Sequence, residues 1–436
     1  MNGQVFSLPI TEVGECDLKG SPKLSPQNYM HYCSPGSGGW GIIRVALLVP
    51  ESVMLFVSPA ACGRHGAIAG FHLGFKKRLF FLQISENDVV TGQHLDKITL
   101  ATAEILNSVK PKPRAMIICS TCIDDLLGSD YDTISTRIAK DYDIAVRLCR
   151  MDPITRERKT APEFSVQQAI YDFIPHSTTS DSGVNIVGCF APIEEDSEFY
   201  EVLCRAGINK IRHIAACSSL EELYSMGCST HNILLKPAGR LAAQDMERKL
   251  GLPFCFEPVV YGMDNITGAY SRLEQFLEVK LDTERFREEV LGEIRYYQRR
   301  LGQISIAVGE SINASPFELA RALSEYGFAV PYIFADQLLD FDQEHLRWLQ
   351  INRPNIRVFT NIHPTMVDIL EEKLTVDLAI GLEAGYFCAG AKTVPLTLDS
   401  QPYGYRGVIS LLRQMLDAVN NPRSHREQVY DSGLVI

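Results

Sequence analysis

The chain has 436 residues, 46% hydrophobic and 22% charged, with a formal net charge of -11. That is ordinary globular composition in a length too great for one core, so two or three domains are expected. The acidic balance excludes a general nucleic-acid binder, which needs a basic face, and the short basic clusters FKKRLFF and RYYQRR read as solvated element ends.

The N-terminus, MNGQVFSLPITEVGECDLKG, has no basic region followed by an apolar one, and no window approaches 18 uninterrupted apolar residues. The expectation is an unexported, cytoplasmic protein without a membrane span. In a reducing compartment twelve cysteines do not read as a disulfide framework.

In chain order, strands are predicted at VMLFVS, RAMIIC, VNIVGCF, NILLKP, QISIAVG, FAVPYIF, IRVFTNI and DLAIGL. These short apolar runs between Gly, Pro and Ser suit parallel strands buried on both faces. Helices are predicted at HLDKITLATAEILNSV, EDSEFYEVLCRAG, SLEELYSMG, PFELARALSEYG and GVISLLRQMLDAVN, several with an acidic or Ser start and a Gly end. The fold class is therefore α/β: three Rossmann-like domains with parallel sheets flanked by helices. The polar stretch HSTTSDSG (176–183) reads as a linker, and the charged helix at 281–302 leads into a further unit. The expected division is an N-terminal extension (1–29), α/β domains at 30–182, 183–299 and 300–400, and a C-terminal helix and tail (401–436).

In doubly wound sheets ligands sit beyond the carboxyl ends of the strands. Cys62 follows VMLFV in the small-residue turn SPAACGRHG, Cys119 and Cys122 follow RAMII, and Cys189 ends VNIVG. Cys33 opens the Gly-rich CSPGSGGWG, where glycines let backbone amides approach a bulky ligand. Three thiols on turns in separate segments of one domain, Cys33, Cys62 and Cys122, suit an iron–sulfur cluster, because thiolates are soft ligands matched to iron and sulfide. Arg64 and His65 would offset its negative charge. A redox dithiol or half a zinc site at CSTC, and inert buried thiols, remain as alternatives. Cys228, in SMGCSTHNILLKP with His231 close behind, reads from spacing alone as a packed thiol.

Taken in order, CSPGSGGWG, SPAACGRHG, SENDVVTGQHLDKI and CSTCIDDLLGSD resemble the first domain of the nitrogenase component 1 family, and GLEAGYFCAGAKTVPL and QPYGYRGVISLLRQMLDAVNNP resemble its closing segments. The resemblance implies that Cys33, Cys62 and Cys122 hold a cluster at the interface between two such subunits, of the 8Fe-7S or the 4Fe-4S type, and that Asp124 and Asp125 match the acidic pair after the third cysteine. It also implies that Cys228 stands where relatives hold a second, larger metallocluster. Cys119 has no counterpart and reads as a strand-end thiol; Cys388 reads as a core thiol.

Two departures stand out. TVPLTLDSQPYGYRG lacks the histidine that dinitrogen-reducing members place before this element, and GCFAPIEEDSEFYEVL lacks one near the substrate. Both argue against nitrogen fixation. The chain has no G-x-x-x-x-G-K-[ST] phosphate loop, so energy coupling would come from a separate iron–sulfur ATPase partner. The second partner implied is a homologous subunit or a second copy of the chain.

The leading expectation is the catalytic component of an anaerobic, ATP-dependent two-component reductase, with His231, Glu383 and Arg64 as candidate acids, and His363 beside them. The alternative is a scaffold for assembling a nitrogenase-type metallocluster, which the same cysteines suit and the missing histidine favours. A three-lobed solute receptor is the third reading, disfavoured because no export signal is seen.

Overall fold

The computed structural model describes residues 5–14, 32, 41–72, 74–151, 162–398, 400–421, 423, 425 and 427. The strands fall into three sheets. A short N-terminal strand, β1 (Leu8–Pro9), belongs to the last of them. The first comprises β2 (Ser52–Ser58), β3 (Leu79–Gln83), β4 (Ala115–Thr121) and β5 (Ala145–Met151), all parallel, in the order β3-β2-β4-β5. The second comprises β6 (Val184–Val187), β7 (Ile211–His213), β8 (His231–Leu234) and β9 (Phe254–Phe256), parallel, in the order β7-β6-β8-β9. The third comprises β10 (Ser305–Val308), β11 (Ala329–Phe334), β12 (Arg357–Phe359), β13 (Leu378–Ile380) and β14 (Lys392–Val394), in the order β12-β11-β10-β13-β14, with β1 antiparallel on β12.

Two units carry these sheets. One takes residues 40–192 and 208–257 and holds the first two sheets. The other takes the segment before residue 40, residues 193–207 and residue 258 onward, and holds the third.

The apolar runs become strands because both faces can be buried. In β2 and β4 all seven positions are buried. Met54, Phe56, Ile117 and Cys119 face one core, while Val53, Leu55, Val57, Met116 and Ile118 face another. That period of two within a continuous apolar run is the mark of a parallel sheet covered by helices on each side. Every strand predicted from sequence is found. Those not predicted, β1, β3, β5, β7, β9 and β14, are edge strands: shorter, or interrupted by charge as in AVRLCRM.

Helix ends follow their capping chemistry. Ser85 and Asp88 form a reciprocal capping box on the helix Glu86–Thr91, which ends at Gly92 with φ +71°. The polar stretch 176–183, expected as a linker, lies inside the first unit. There Asp181 is bonded to Lys210 at 2.9 Å and to Arg212, and its amide donates to the Cys228 carbonyl. Charge pairing, absent from any reading of apolar periodicity, holds it in place.

In the second unit, buried carboxylates receive the N–H groups left over at helix starts. Glu198, fully buried, accepts from the amides of Tyr405 (2.6 Å) and Arg406 (2.9 Å) and from the Tyr270 hydroxyl (2.7 Å). Those amides begin the C-terminal helix Gly404–Asn420. Gly404 is required there: its φ is +68°, and a Cβ would lie 2.1 Å from Glu198 Oε1. Glu318 does the same for the helix Met263–Leu277, accepting from the amides of Tyr261 and Gly262 and from Asn265 Nδ2. Burial raises the carboxyl pKa of both, and the N–H donors oppose that rise.

Glu198→Ala strands three donors, two of them buried, and should cost roughly 3 kcal/mol of unfolding free energy, with faster amide exchange in the first turn of Gly404–Asn420. Chemical denaturation and hydrogen exchange read both effects.

Candidate metal centre

β2 and β4 are neighbours in register, Phe56 opposite Cys119, and the chain leaves both at the same sheet edge. After β2 comes Pro59, then the helix Ala60–His72, with Cys62 in its first turn and its amide bonded to the Pro59 carbonyl at 3.1 Å. After β4 the helix Cys122–Leu127 starts on Cys122 itself. Cys62 is exposed and Cys122 half-buried. The topology thus brings two of the three predicted ligands to the carboxyl ends of adjacent parallel strands, where open α/β sheets place their sites.

Cys62 was expected in an irregular turn. It stands instead inside a helix, because Ala60 and Ala61 are strong helix formers and Pro59 has no amide to satisfy. Arg64 lies exposed on the same helix. Cys33 and the His65 side chain lie outside the described residues. Among the described residues no three His, Cys, Asp or Glu side chains converge on one metal position. The donor chemistry still fits a thiolate-ligated iron–sulfur cluster: two accessible soft donors, each held by a strand end and a helix start.

A buried pair braces the Cys122 helix. His94 Nε2 lies 3.0 Å from Asp124 Oδ1, and His94 Nδ1 lies 3.2 Å from the Asp88 carbonyl oxygen. Both side chains are buried. Asp88 in turn is bound by the Lys97 ammonium at 2.7 Å and by Ser85, which lower its pKa to about 2. Asp125, the other member of the acidic pair, pairs with Arg150 at 2.5 Å. His94 was not singled out from sequence; its one signal is a histidine within the acidic stretch SENDVVTGQHLDKI.

The other predicted residues are placed elsewhere. Cys228 precedes β8, at the amino end of its strand, and lies 3.2 Å from Ser177 Oγ and 3.8 Å from Thr179 Oγ1. His231 opens β8 at that same end, with Nδ1 2.9 Å from Thr230 Oγ1. His363 caps the short turn Pro364–Asp368, stacks on Phe6 at 4.4 Å, and has its pKa lowered by burial. Glu383 is buried and accepts from the Ser311 amide at 2.5 Å. His231, His363 and Glu383 are each engaged by neighbours in the fold.

The remaining thiols at strand ends or in cores are buried. Burial pushes Cys149, Cys189 and Cys388 up to about 12, and Cys119 well above its ordinary value. Such groups stay protonated thiols. Cys189 at the end of β6 sits beside Lys236, which follows β8 and which burial lowers to about 8. His213, ending β7, is lowered to about 4 by burial.

The geometry meets known proteins at this point. The family model "Nitrogenase component 1 type Oxidoreductase" matches residues 37–420. The chain belongs to that family. It is similar to the nitrogenase iron-molybdenum cofactor biosynthesis protein NifE of Mesorhizobium japonicum, with 23% identity covering 79% of this chain and 72% of the relative. The NifE of Rhizobium meliloti is 23% identical over 97% of this chain and 93% of its own. Among solved structures, nitrogenase Cp1 at pH 6.5 superposes with a TM-score of 0.71 at 15% identity, covering 90% of this chain and 94% of that one. As a nitrogenase component 1 protein the chain has the expected α/β fold of parallel sheets flanked by helices, in a family that implies iron–sulfur clusters. Among the described residues no helix is long and apolar enough to cross a membrane.

His94→Ala leaves Asp124 buried without its partner and should destabilise the fold by roughly 3–5 kcal/mol. The double variant His94→Ala/Asp124→Ala should lose less than the sum of the single losses, which a double-mutant cycle by denaturation reads.

Proposed function

We propose that this chain is an assembly protein for a nitrogenase-type metallocluster, receiving the cluster as cargo and passing it to an acceptor. The observation that carries the reading is that the similar curated proteins spanning most of the chain bear the name of a cofactor biosynthesis protein. The geometry supports it. Of the acids expected of a catalytic component, His231 stands at the amino end of its strand and Arg64 on an exposed helix face of the same unit, while Glu383, in the other unit, is committed to a backbone amide. The catalytic reductase expected first from sequence is therefore the weaker reading.

In this proposal Cys62 and Cys122, with Cys33, hold a resident iron–sulfur cluster shared with a homologous partner subunit or a second copy. Exposed apolar side chains on the two cysteine-bearing helices, Phe71, Leu126 and Leu127, support a covered face there. An ATP-hydrolysing iron protein would supply electrons from outside, since the chain has no phosphate loop of its own. The cluster, when bound, provides one-electron redox chemistry; the chain provides soft donors on rigid elements. Cys228 is left out of the resident donor set, because it stands at the amino end of its strand among hydroxyls.

Iron and acid-labile sulfide measured on anaerobically purified protein should fall sharply in Cys62→Ala and Cys122→Ala and stay unchanged in Cys228→Ala. Incubated with an apo form of a nitrogenase component 1 acceptor, the cargo-loaded chain should activate it and emerge depleted. Retention of the cargo through repeated reductant-dependent turnover of a substrate would overturn the assembly reading in favour of the reductase.

A further inference from the structure

The two cysteine-bearing helices leave neighbouring strands, and a run of polar contacts joins their roots. It begins at Ser58, the last residue of β2, whose carbonyl accepts from the Ile84 amide at 3.1 Å, just past β3. Ser85 follows and shares its capping box with Asp88, while the half-exposed Lys97 holds the Asp88 carboxylate at 2.7 Å. The Asp88 carbonyl oxygen lies 3.2 Å from His94 Nδ1, and His94 Nε2 lies 3.0 Å from Asp124 Oδ1. Asp124 is the third residue of the helix that Cys122 opens. The path therefore links the exits of three neighbouring strands, β3, β2 and β4, and it runs from the strand end before Cys62 to the turn that carries Cys122.

Local capping does not fix the Cys122 helix. Thr121 stands at its N-cap, yet the Thr121 hydroxyl makes no bond to the first turn and has no partner among the described residues. Six residues are too few for a helix to hold itself by its own hydrogen bonds. Tertiary contacts set its direction instead. Arg150 reaches Asp125 from β5 at 2.5 Å, with both side chains partly exposed, whereas the His94–Asp124 contact is buried. Away from water the buried contact is the stronger and more directional constraint. Cys122 and Asp124 are two residues apart, about 200° around the helix axis. Holding Asp124 against His94 thus turns Cys122 to the other side of its helix.

We propose that His94 is the positioning residue for Cys122: acting through Asp124 rather than as a ligand, it fixes the direction of the Cys122 sulfur relative to Cys62. This rests on the reading that both cysteines hold the resident iron–sulfur cluster. Two thiolates on separate helices can hold one rigid cluster only while the helices keep their relative direction, and partners behind metal ligands change metal retention by about ten- to a hundredfold.

The test uses the full chain, purified anaerobically and then reduced. Exchanging the pair for apolar side chains, His94→Leu/Asp124→Leu, leaves no unpaired buried charge, so the protein should still unfold cooperatively, but the link to Cys122 is cut. Iron should pass from this variant to a chelator about tenfold faster than from the wild type, and its electron paramagnetic resonance g values should shift. His94→Gln offers Asp124 an amide donor in place of the ring and should restore most of the wild-type release rate and spectrum. Lys97→Met loosens the anchor at its exposed end and should speed release in the same direction, which keeps the test open if the double variant does not fold. A wild-type spectrum and release rate in the double variant, or in Lys97→Met where the double variant does not fold, overturns the proposal. A loss that His94→Gln leaves wholly unrestored also overturns it, since that marks a merely structural role. Iron content separates the two readings. If Cys122→Ala carries as much iron as the wild type, the cluster reading itself fails; unchanged release with iron that depends on Cys122 strikes the role of His94 alone.

Discussion

Buried glutamates that accept backbone N–H groups are the constraint on which the unit around the third sheet depends. A helix start leaves amides that must be satisfied, and in a packed interior water cannot do it. Glu198 and Glu318 supply that acceptor for two helices, and Glu383 supplies it for the loop after β10. Each arrangement pairs residues tens to hundreds of positions apart, as with Glu198 and Tyr405, 207 residues apart. The same interaction draws the segment 193–207 away from the unit that contains its sequence neighbours.

The unit with the first two sheets is organised differently. Its strands are held by apolar faces on both sides, and its polar contacts gather at the strand ends. At one edge Cys62 and Cys122 emerge from β2 and β4, with the His94–Asp124 pair fixing the start of the Cys122 helix. Burial sorts the thiols of this unit by chemistry. Cys119 and Cys149, opposite each other in register, are too buried to ionise, whereas Cys62 is open to a ligand. A protein that holds a cluster needs this contrast, since only an accessible sulfur can be reached by iron from outside the fold.

Family membership and enzymatic role separate at the level of single side chains. The shared fold supplies strand ends; what stands at those ends decides the chemistry. Here Glu383 accepts from a backbone amide, His363 caps a short turn and stacks on Phe6, and His231 opens its strand.

The sequence by itself determined the α/β class and the family. Apolar runs longer than an alternating pattern allows mark buried parallel strands, and three cysteine elements in order survive as local motifs. Edge strands such as β7 and β9 were not legible, because three residues carry too little periodicity to stand out. The placement of Cys228 was not legible either: spacing and resemblance put it near a strand, but only the fold shows it at the amino end. His94, Glu198 and Glu318 look alike in sequence, as isolated polar residues inside ordinary segments. Only the tertiary structure decided that Glu198 and Glu318 stand among amides and that His94 stands against Asp124, because their partners come from strands and helices that the chain brings together only when it folds.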